Sequence, residues 1–401
     1  MSQNRPFLKN WKWRKLGDIT TERLIGLVRN SKEQNDSHLC SYLKMDSIRT
    51  NGNLNLNLAT KVNATPEEID RYSLQNGDFL FNTRNSYELV GKTAVFESKE
   101  KQWLYNNNIM RIRFNEDINP WFVNIAFQSN LVKRQLNAAK NKTTSVCAIY
   151  DYHLVEIEIP IPPFDEQSRI VEIFKKVDRV RRKRQEAIRL TEELGRSLFL
   201  HMFSKYFETK YLQTFEDVSE VLIDCRNKTA PYADEGIPLI RTTNFKNYRL
   251  DLSELKYITQ QTNQIWSSRH QTAPGDIVYC REAPYGMAAT VPSEFYPCLG
   301  QRIMVSRPNQ SKVSTEFLLF ALNSSFVYRQ ALKVAIGSTV KHLRVVDVKG
   351  LNIPVAPLNE QKQFQQILYR CEQSWSNQIL QKSDSENLFN SLLQRAFRGE
   401  L

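Results

Sequence analysis

Residues 159–174 of the chain read IPIPPFDEQSRIVEIF, and residues 353–368 read IPVAPLNEQKQFQQIL. Each stretch passes from an apolar segment through proline to a Glu-Gln pair, and then into a long run of mixed polar and apolar residues. The two pairs, Glu166-Gln167 and Glu360-Gln361, are 194 residues apart in a chain of 401. A spacing close to half the chain length indicates one structural unit encoded twice.

The repeat extends toward the N-terminus of each half. TTSVCAIYDYHLVEIEIP (residues 143–160) aligns with GSTVKHLRVVDVKGLNIP (residues 337–354) at the same offset. Further back, Ile109-Met110 aligns with Ile303-Met304, and a Gly-Asp pair at position 77 aligns with another at position 275. The last offset is 198, which a short insertion explains. Each half therefore contains a globular part followed by the Glu-Gln stretch.

Short apolar runs in the globular parts predict strands, for example GDFLF, IMRIRF and VEIEIPIP. Between them, PWFVNIAFQSNLVKRQLNAA and STEFLLFALNSSFVYRQALKVA have the periodicity of helices. The predicted fold class is therefore α+β, with two related domains of mixed helix and sheet. We place the first domain at residues 1–160 and the second at residues 207–354.

The segments at residues 161–206 and 355–401 are predicted to be long helices. In each, apolar residues recur at spacings of three and then four, which is a heptad pattern. The residues predicted to line the contact between the two helices are Ile170, Ile173, Val177, Leu194, Leu198, Phe364, Ile367, Leu388 and Leu392.

A lone heptad helix cannot bury its apolar stripe, so each segment needs a partner. About 40 helical residues form a rod of about 60 Å, longer than the flank of one small domain. This length favours an antiparallel coiled coil of the two helices acting as a spacer. Packing of each helix on its own globular domain is the alternative.

Lys and Arg number 55 against 43 Asp and Glu, a net charge of +12. Such an excess favours a polyanionic partner, nucleic acid before a membrane surface, and a merely basic soluble protein is the alternative. The N-terminus has no apolar signal sequence and no run approaches the roughly 20 apolar residues of a membrane span. Six scattered cysteines without a CxxC pair fit reduced thiols in the cytoplasm, with no metal site.

Sequence motifs for catalysis are absent. No two of the thirteen glycines are separated by a single residue, so the chain contains no GxG loop for a dinucleotide or S-adenosylmethionine. GxxxxGK, GxSxG and HExxH are absent as well. NPWF at residues 119–122 is similar to the NPP[YF] loop of amino-methyltransferases, but it lacks the second proline and opens a predicted helix. These observations predict a chain that binds no cofactor and catalyses no reaction.

Reading of bases requires amide, hydroxyl and guanidinium groups on loops, and phosphate contacts require Lys and Arg. Three segments with this chemistry recur at matching positions of the two halves but differ in sequence. The predicted DNA-binding residues of the first half are Asn82, Thr83, Arg84, Asn85, Asn107, Lys140, Lys142, Thr143 and Thr144. Those of the second half are Arg281, Tyr285, Gln301, Arg302, Ser338, Thr339, Lys341 and His342. For any single residue, neutral drift of a loop is nearly as good an explanation.

The order of WKWRKLGDI at residues 11–19, the two proline-to-Glu-Gln stretches and the ending SLLQRAFRGEL resembles the specificity subunit of Type I restriction–modification systems. The resemblance covers essentially the whole chain. It implies two target-recognition domains on an antiparallel helix pair, each reading one half of an asymmetric bipartite site in double-stranded DNA.

The same resemblance implies partners and a setting. Two methyltransferase subunits, which bind S-adenosylmethionine, would methylate an adenine in each half-site, and restriction subunits with motor and nuclease activity would complete a cytoplasmic defence complex of a prokaryote. A stand-alone DNA-binding regulator with two reading domains and a solitary DNA methyltransferase are the alternatives. Co-purification of partners and labelling with the methyl donor distinguish them.

Overall fold

The computed structural model describes residues 11–100, 102–142, 146–282, 285–337, 342–398 and 400. The chain forms two compact units. Unit 1 comprises residues 1–184 and 381–401, and unit 2 comprises residues 185–380. Each unit therefore contains one globular domain and one half of each long helix. The helices themselves begin and end at Phe164–Phe203 and Leu358–Ala396.

Unit 1 contains twelve described strands: β1 (Lys12–Lys15), β2 (Thr20–Ile25), β3 (Cys40–Leu43), β4 (Thr60–Val62), β5 (Phe79–Asn82), β6 (Arg84–Asn85), β7 (Thr93–Val95), β8 (Trp103–Tyr105), β9 (Ile109–Phe114), β10 (Asn141–Lys142), β11 (Cys147–Ala148) and β12 (Glu158–Ile161). Its α-helices are α1 (Pro66–Tyr72), α2 (Pro120–Gln128), α3 (Asn130–Ala139), α4 (Asp151–Leu154) and the first half of α5 (Phe164–Phe203).

Four sheets organise unit 1. The largest is antiparallel in the order β2-β9-β5-β7, and a second sheet in the order β4-β3-β8 pairs β3 with β8 in parallel. A third sheet joins β10, β11 and β6, and β1 pairs with β12 just before α5 begins. Helices α2 and α3 cover one face of the largest sheet. There the ring of Phe79 on β5 lies 5.3 Å from the ring of Phe127 on α2, and both side chains are fully buried.

Unit 2 contains eleven described strands: β13 (Leu212–Thr214), β14 (Ser219–Asp224), β15 (Ile237–Ile240), β16 (Phe245–Lys246), β17 (Arg249–Leu250), β18 (Lys256–Ile258), β19 (Ile277–Cys280), β20 (Ala288–Thr290), β21 (Cys298–Leu299), β22 (Ile303–Pro308) and β23 (Asn352–Pro354). Its α-helices are α6 (Gln260–Trp266), α7 (Thr315–Leu322), α8 (Ser325–Val334), α9 (Val345–Lys349) and the first half of α10 (Leu358–Ala396), together with the second half of α5.

The sheets of unit 2 repeat the topology of unit 1. The order β14-β22-β19-β20 corresponds to β2-β9-β5-β7, and β18-β15-β21, with β15 and β21 parallel, corresponds to β4-β3-β8. β13 pairs with β23 before α10, as β1 pairs with β12 before α5. The predicted α+β class with an internally repeated domain is confirmed.

Local sequence explains where the helices begin. Pro120 occupies the first turn of α2, where its missing N–H costs nothing, and the Asn119 side chain accepts a hydrogen bond from the Trp121 amide. NPWF is thus a helix start. Ser129 and Ser324 stand at equivalent breaks, α2–α3 and α7–α8, and each caps the second helix of its pair. A serine cap therefore produces the same helical hairpin in both units.

The two long helices run antiparallel in each unit. In unit 1, Phe174 near the start of α5 contacts Phe389 near the end of α10, with ring centroids 5.2 Å apart. In unit 2, Phe203 at the end of α5 contacts Phe364 near the start of α10, with centroids 5.4 Å apart. The predicted antiparallel pair of long helices is confirmed. Each helix end also joins the core of its globular domain, so the alternative packing on the domains is present too.

At several positions predicted to line the contact between the helices, the side chains are more exposed than the prediction requires. Leu194, Ile367 and Leu388 are exposed by 52%, 40% and 53% of their surface, so much of each side chain remains accessible within the chain. Ile173 and Val177 are half-buried, Leu198 and Leu392 pack partly buried against the cores, and Ile170 and Phe364 are fully buried.

The buried residues of the long helices do not keep to the predicted alternation of three and four. Among the described side chains, the buried positions are 167, 170, 171, 174, 188, 195, 199 and 203 on α5 and 361, 364, 368, 385, 393 and 396 on α10. Phe174 and Leu368 are thus buried, whereas the prediction placed Ile173 and Ile367, one residue earlier, at the contact. A 3.5-residue period accommodates either neighbour, and only the contacts of the folded chain select one.

Among the described residues, no helix is long and apolar enough to cross a membrane.

Candidate nucleic-acid interface

An ion pair between a buried aspartate and a partly exposed arginine anchors the large sheet of each unit. In unit 1 the Asp78 carboxylate accepts two hydrogen bonds from the Arg113 guanidinium, at 2.7 and 3.2 Å. In unit 2 Asp276 accepts two from Arg307, at 2.9 and 3.1 Å. Both aspartates are almost fully buried at the start of their strands, and each is the Asp of the repeated Gly-Asp pair. The motif therefore maintains the scaffold, and the variable loops lie at the opposite strand ends.

These opposite ends bring the predicted loops of unit 1 together. The Thr83 amide donates to the carbonyl of Asn108 at 2.9 Å, so the segment after β5 contacts the segment before β9. Arg84 and Asn85 on β6 pair with β11, and β11 pairs with Asn141 and Lys142 on β10. All three predicted segments thus meet at one edge of unit 1.

Two of the predicted DNA-binding residues in unit 1 are buried within the chain. Asn82 is fully buried, and its Nδ2 donates to the carbonyls of Arg84 at 3.0 Å and Asn108 at 2.9 Å. Its Oδ1 accepts from the Asn85 side chain at 2.9 Å. Thr83 is also buried. A side chain whose polar atoms are all bonded inside the protein shapes the loop and has none left for a base edge.

The remaining predicted residues of unit 1 have accessible surface where the structure describes them. Arg84 is exposed, and Asn85 and Asn107 are half-buried. Lys140 donates to the carbonyl of Tyr87 at 2.7 Å, and its ammonium lies 4.4 Å from the centre of the Tyr87 ring. The side chain of Lys142, together with Thr143 and Thr144, lies outside the described residues.

The corresponding segments of unit 2 meet in the same way. The Arg281 amide donates to the carbonyl of Arg302 at 2.8 Å, the equivalent of the bond between Thr83 and Asn108. The Leu343 amide donates to the carbonyl of Arg281 at 2.8 Å, and His342 forms a β-bridge with Glu282. The Nε of Arg302 lies 3.1 Å from a carboxylate oxygen of Glu282.

Arg281 is a third predicted residue that is buried within the chain. Only 4% of its surface is exposed, and its guanidinium donates to the carbonyl of Leu343 at 3.0 Å. It therefore ties two loops together and does not extend toward a ligand.

The other predicted residues of unit 2 have mixed environments. Tyr285 is half-buried and stacks on Tyr328, with centroids 6.2 Å apart and planes 17° apart. Gln301 is half-buried and bonds to the side chains of Thr229 and Asn227 at 3.3 and 3.4 Å. His342 is half-buried. Ser338, Thr339 and Lys341 lie outside the described residues.

Two basic residues at this edge are not among those predicted from the sequence. Lys44 follows β3 and Arg241 follows β15, and both are half-buried. The adjoining backbone bonds are equivalent, Asn106 to Leu43 at 2.9 Å and Gly300 to Ile240 at 2.7 Å. MDSIRTNGNL at residues 45–54 aligns weakly with TTNFKNYRLD at residues 242–251, and a basic residue precedes both stretches. This alignment could have identified Lys44 and Arg241.

Buried polar atoms without a hydrogen bond concentrate at these edges. Among the described side chains they include the Asn106 oxygen and the Ser47 hydroxyl in unit 1, and the Nε atoms of Arg241, Arg281 and Arg302 in unit 2. Unsatisfied buried polar groups are costly and uncommon in folded proteins. Their presence beside exposed basic and amide side chains is typical of a surface that receives a polar ligand.

Burial also suppresses reactivity at this edge. It raises the pKa of the Cys280 thiol, at the end of β19, to about 12, so the thiol stays protonated at neutral pH. In unit 1, burial lowers the pKa of Lys92, whose ammonium donates to the carbonyl of Met45 at 2.8 Å. The edge therefore offers hydrogen-bonding groups and positive charge, and the Cys280 thiol is no nucleophile.

Known proteins share this sequence pattern and this fold. The family model described as Type I restriction modification DNA specificity domain matches residues 8–191 and 214–382. A protein of Methanocaldococcus jannaschii assigned as the type I restriction enzyme MjaX specificity subunit is 23% identical over 376 residues, which cover 88% of this chain and 85% of that protein. The EcoKI specificity subunit of Escherichia coli K12 is 26% identical over 191 residues, 46% of this chain and 40% of that protein.

Among solved structures, a chain from a study of complex assembly and conformational transition of the type I R-M system has a TM-score of 0.55. It is 20% identical, and the match covers 98% of both chains. The S subunit of a type I restriction–modification system from M. genitalium has a TM-score of 0.53 at 14% identity, covering 99% of this chain and 98% of that one. These likenesses show a common fold.

Proposed function

The chain belongs to the family of Type I restriction modification DNA specificity proteins, and from this premise we propose that it reads a bipartite, asymmetric site in double-stranded DNA. Each globular domain reads one half-site at the edge described above. The chain then positions two methyltransferase subunits and the restriction subunits for adenine methylation or cleavage.

One observation carries this proposal: the two units build the same scaffold but present different side chains at the same edge. Thr83 and Asn108 of unit 1 occupy the backbone positions of Arg281 and Arg302 in unit 2, joined by equivalent hydrogen bonds. Two different sets of donors and acceptors on one scaffold recognise two different base sequences. The net charge of +12 supplies the attraction to the phosphate backbone.

The outer faces of the long helices support the association with partner subunits. Leu190, Leu194, Leu388 and Tyr369 are all exposed by more than half of their surface. Large apolar side chains repeated along a helix outside its packed face are typical of a protein interface. The methyltransferase subunits would cover these faces.

Catalysis belongs to the partners in this proposal. The chain has no glycine-rich loop for S-adenosylmethionine, so the methyltransferase subunits would supply both the methyl donor and the reaction centre. Incubation of the purified chain with labelled S-adenosylmethionine tests this assignment. We expect labelled S-adenosylmethionine to be bound only when the methyltransferase subunit is added. Binding of the labelled compound by the chain alone would contradict the assignment.

A domain exchange tests the proposed function. Residues 207–354 would be replaced by the equivalent residues of a relative with a different target, and the chain would be expressed with its methyltransferase subunit in cells without other adenine methylation. We expect sequencing of the methylated motif to show one half-site changed and the other, with the gap, retained. A motif altered in both halves would overturn the assignment of one half-site to each domain.

A further inference from the structure

The edge of unit 2 contains three guanidinium groups where unit 1 contains an amine, a hydroxyl and an amide. Arg241, Arg281 and Arg302 follow or precede strands β15, β19 and β22, and their backbone bonds match those of Lys44, Thr83 and Asn108. A guanidinium group only donates hydrogen bonds, whereas an amide or hydroxyl group both donates and accepts. The ligand of unit 2 must therefore present acceptors.

The three arginines do not have equal access to a ligand. Arg281 is 4% exposed and bonded to the Leu343 carbonyl, so it supports the loop. Arg241 is half-buried. The Arg302 side chain keeps 27% of its surface exposed, and among the described residues its terminal nitrogens have no hydrogen bond. Arg241 and Arg302 are therefore the two guanidinium groups with access to a ligand, and Arg302 is the one beside a carboxylate, that of Glu282.

The backbone at Arg302 is unusual and fixed. Its φ is +68°, a left-handed conformation that non-glycine residues adopt rarely and at a cost. Its carbonyl accepts from Arg281, and its Nε lies 3.1 Å from the Glu282 carboxylate. The Glu282 carboxylate lies beside the Nε, which is buried and makes no hydrogen bond, and the two terminal nitrogens form a fork that is available to a ligand. Backbone strain is retained in proteins where the surroundings impose it, and such positions cluster at functional sites.

A free guanidinium fork matches two acceptors side by side, which guanine presents as O6 and N7 in the major groove. We infer that Arg302, oriented by Glu282, reads a guanine in the half-site of unit 2. This inference rests on the proposed function and assigns one base of the site to one side chain.

A phosphate is the other common partner of a guanidinium fork, but the Glu282 carboxylate disfavours a phosphate at this position. Its carboxylate is 34% exposed, beside the Arg302 side chain. A second anion at this distance would repel a phosphate, because like charges in a partly buried site are unfavourable. The same carboxylate suits a G·C pair, since it can accept from the N4 amino group of the cytosine.

The test is selection of bound sites from a duplex library with both half-sites randomised, using the full chain. Four proteins are compared: the unchanged chain, Arg302→Asn, Glu282→Gln, and Arg329→Asn as the control, an exposed arginine on α8 of the same unit. Asparagine tolerates the left-handed backbone, so Arg302→Asn keeps the loop. Thermal unfolding checks that all four fold.

For the unchanged chain and the Arg329→Asn control, we expect a guanine at one position of one half-site. For Arg302→Asn we expect that preference to fall about ten-fold or more, with the other half-site and the melting temperature retained. For Glu282→Gln we expect a weaker guanine preference and stronger binding to unrelated DNA, because the residue positions Arg302 and repels phosphate. In a fifth protein, Arg302→Lys, we expect part of the preference to be retained, because the lysine ammonium also donates to the base.

Three results would overturn the inference. An unchanged motif for Arg302→Asn would show that the side chain reads no base. A uniform loss of affinity for all sequences, with the salt slope reduced by about one, would identify a phosphate contact. If the unchanged chain enriches no sequence at all, the proposed function fails and the inference fails with it. Enrichment without dependence on Arg302 overturns the inference alone.

Discussion

The side-chain oxygen of Gln167 lies 2.8 Å from the backbone nitrogen of Asn119, at the start of α2. The Gln167 amide nitrogen donates to the carbonyls of Asp117 and Pro162, each at 3.0 Å. Gln167 is almost fully buried. One side chain thereby joins the turn before the long helix to the turn before α2.

Gln361 makes the same three bonds in unit 2, to Ser314 at 2.8 Å, Lys312 at 2.9 Å and Ala356 at 2.7 Å. The repeated Glu-Gln pair therefore attaches each long helix to its globular domain. The preceding glutamates bind aromatic side chains, since Glu166 accepts from the indole of Trp11 at 3.1 Å and Glu360 from the hydroxyl of Tyr206 at 2.6 Å.

Replacement of Gln361 by alanine will destabilise unit 2. The change leaves one N–H and one carbonyl in partly buried positions, and one fully buried carbonyl, without partners. We expect a loss of about 2–4 kcal/mol in the free energy of unfolding. Urea unfolding of the full chain measures it. Gln365→Ala is the matched control, because Gln365 is exposed one turn further along α10 and bonds to Glu316 at the surface. Equal losses for the two variants would contradict the role of Gln361.

The neighbours Ile367 and Leu368 test the face of α10 that packs. Leu368 is 6% exposed within the core of unit 2, whereas Ile367 is 40% exposed. We expect Leu368→Ala to cost about 2–4 kcal/mol, with a cavity in the core, and Ile367→Ala to cost less than about 1 kcal/mol. Chemical denaturation of the two variants compares them directly. A larger effect at Ile367 would restore the face predicted from the sequence.

Tyr206 and Glu360 predict a pH dependence. The hydrogen bond from the Tyr206 hydroxyl, with a smaller contribution from Lys205, lowers the pKa of the Glu360 carboxyl. A lowered pKa means that the stabilisation is present above the ordinary carboxyl pKa of about 4.3 and is lost as the pH falls through the value in the folded chain.

Tyr206→Phe should therefore reduce the free energy of unfolding at pH 7, and the difference from the unchanged chain should shrink toward pH 3. Unfolding curves at several pH values measure this difference. Tyr369→Phe is the control, because Tyr369 lies on α10, the helix that contains Glu360, and 62% of its surface is exposed. A difference between Tyr206→Phe and the unchanged chain that stays constant with pH would show that Glu360 is not the group involved.

The length of the helices should determine the gap between half-sites. Seven residues inserted into α5 after position 184 and seven into α10 after position 380, where the two units divide, preserve the heptad pattern. Each insertion adds about 10 Å of helix, the length of about three base pairs. Selection from a library of variable gaps should give a longer gap with unaltered half-sites. An unaltered gap would refute the spacer role of the helices.

The close approach of Gly26 to the backbone provides a last prediction. A Cβ at this position would lie 2.2 Å from the carbonyl oxygen of Tyr105 and 2.5 Å from that of Asn106. Gly26→Ala must displace the segment before β9, at the candidate interface, and we expect a loss of about 1–3 kcal/mol. Thermal unfolding measures the loss, and Gly350→Ala, whose Cβ would stay 3.5 Å from the nearest atom, is the control. If the Gly26→Ala variant unfolds at the same temperature as the unchanged chain, the segment before β9 can move without a measurable loss of stability.

Contacts between residues distant in sequence explain why the interface was only partly predictable from the sequence. Residue type and repetition located the three segments, and the structure places them together in each unit. Which side chains remain accessible depends on bonds such as Thr83 to Asn108 and Leu343 to Arg281, which join residues 25 and 62 positions apart. The burial of Asn82 and Arg281 follows from those bonds and leaves no trace in the local sequence. Lys44 and Arg241 enter the site because a parallel strand pair aligns their ends with the other loops.

The sequence by itself determined the repeated α+β domain, the two long helices, their antiparallel pairing and the family, because periodicity and internal similarity are properties of residue order. Tertiary structure alone decided which of two neighbouring positions in the heptad pattern is buried. Rotation by one residue changes a helix face by about 100°, and Ile367 and Leu368 fit the period equally well before a partner is present. It also decided that Gln167 and Gln361 are buried clamps, since their role exists only when α2 and α7 meet the long helices.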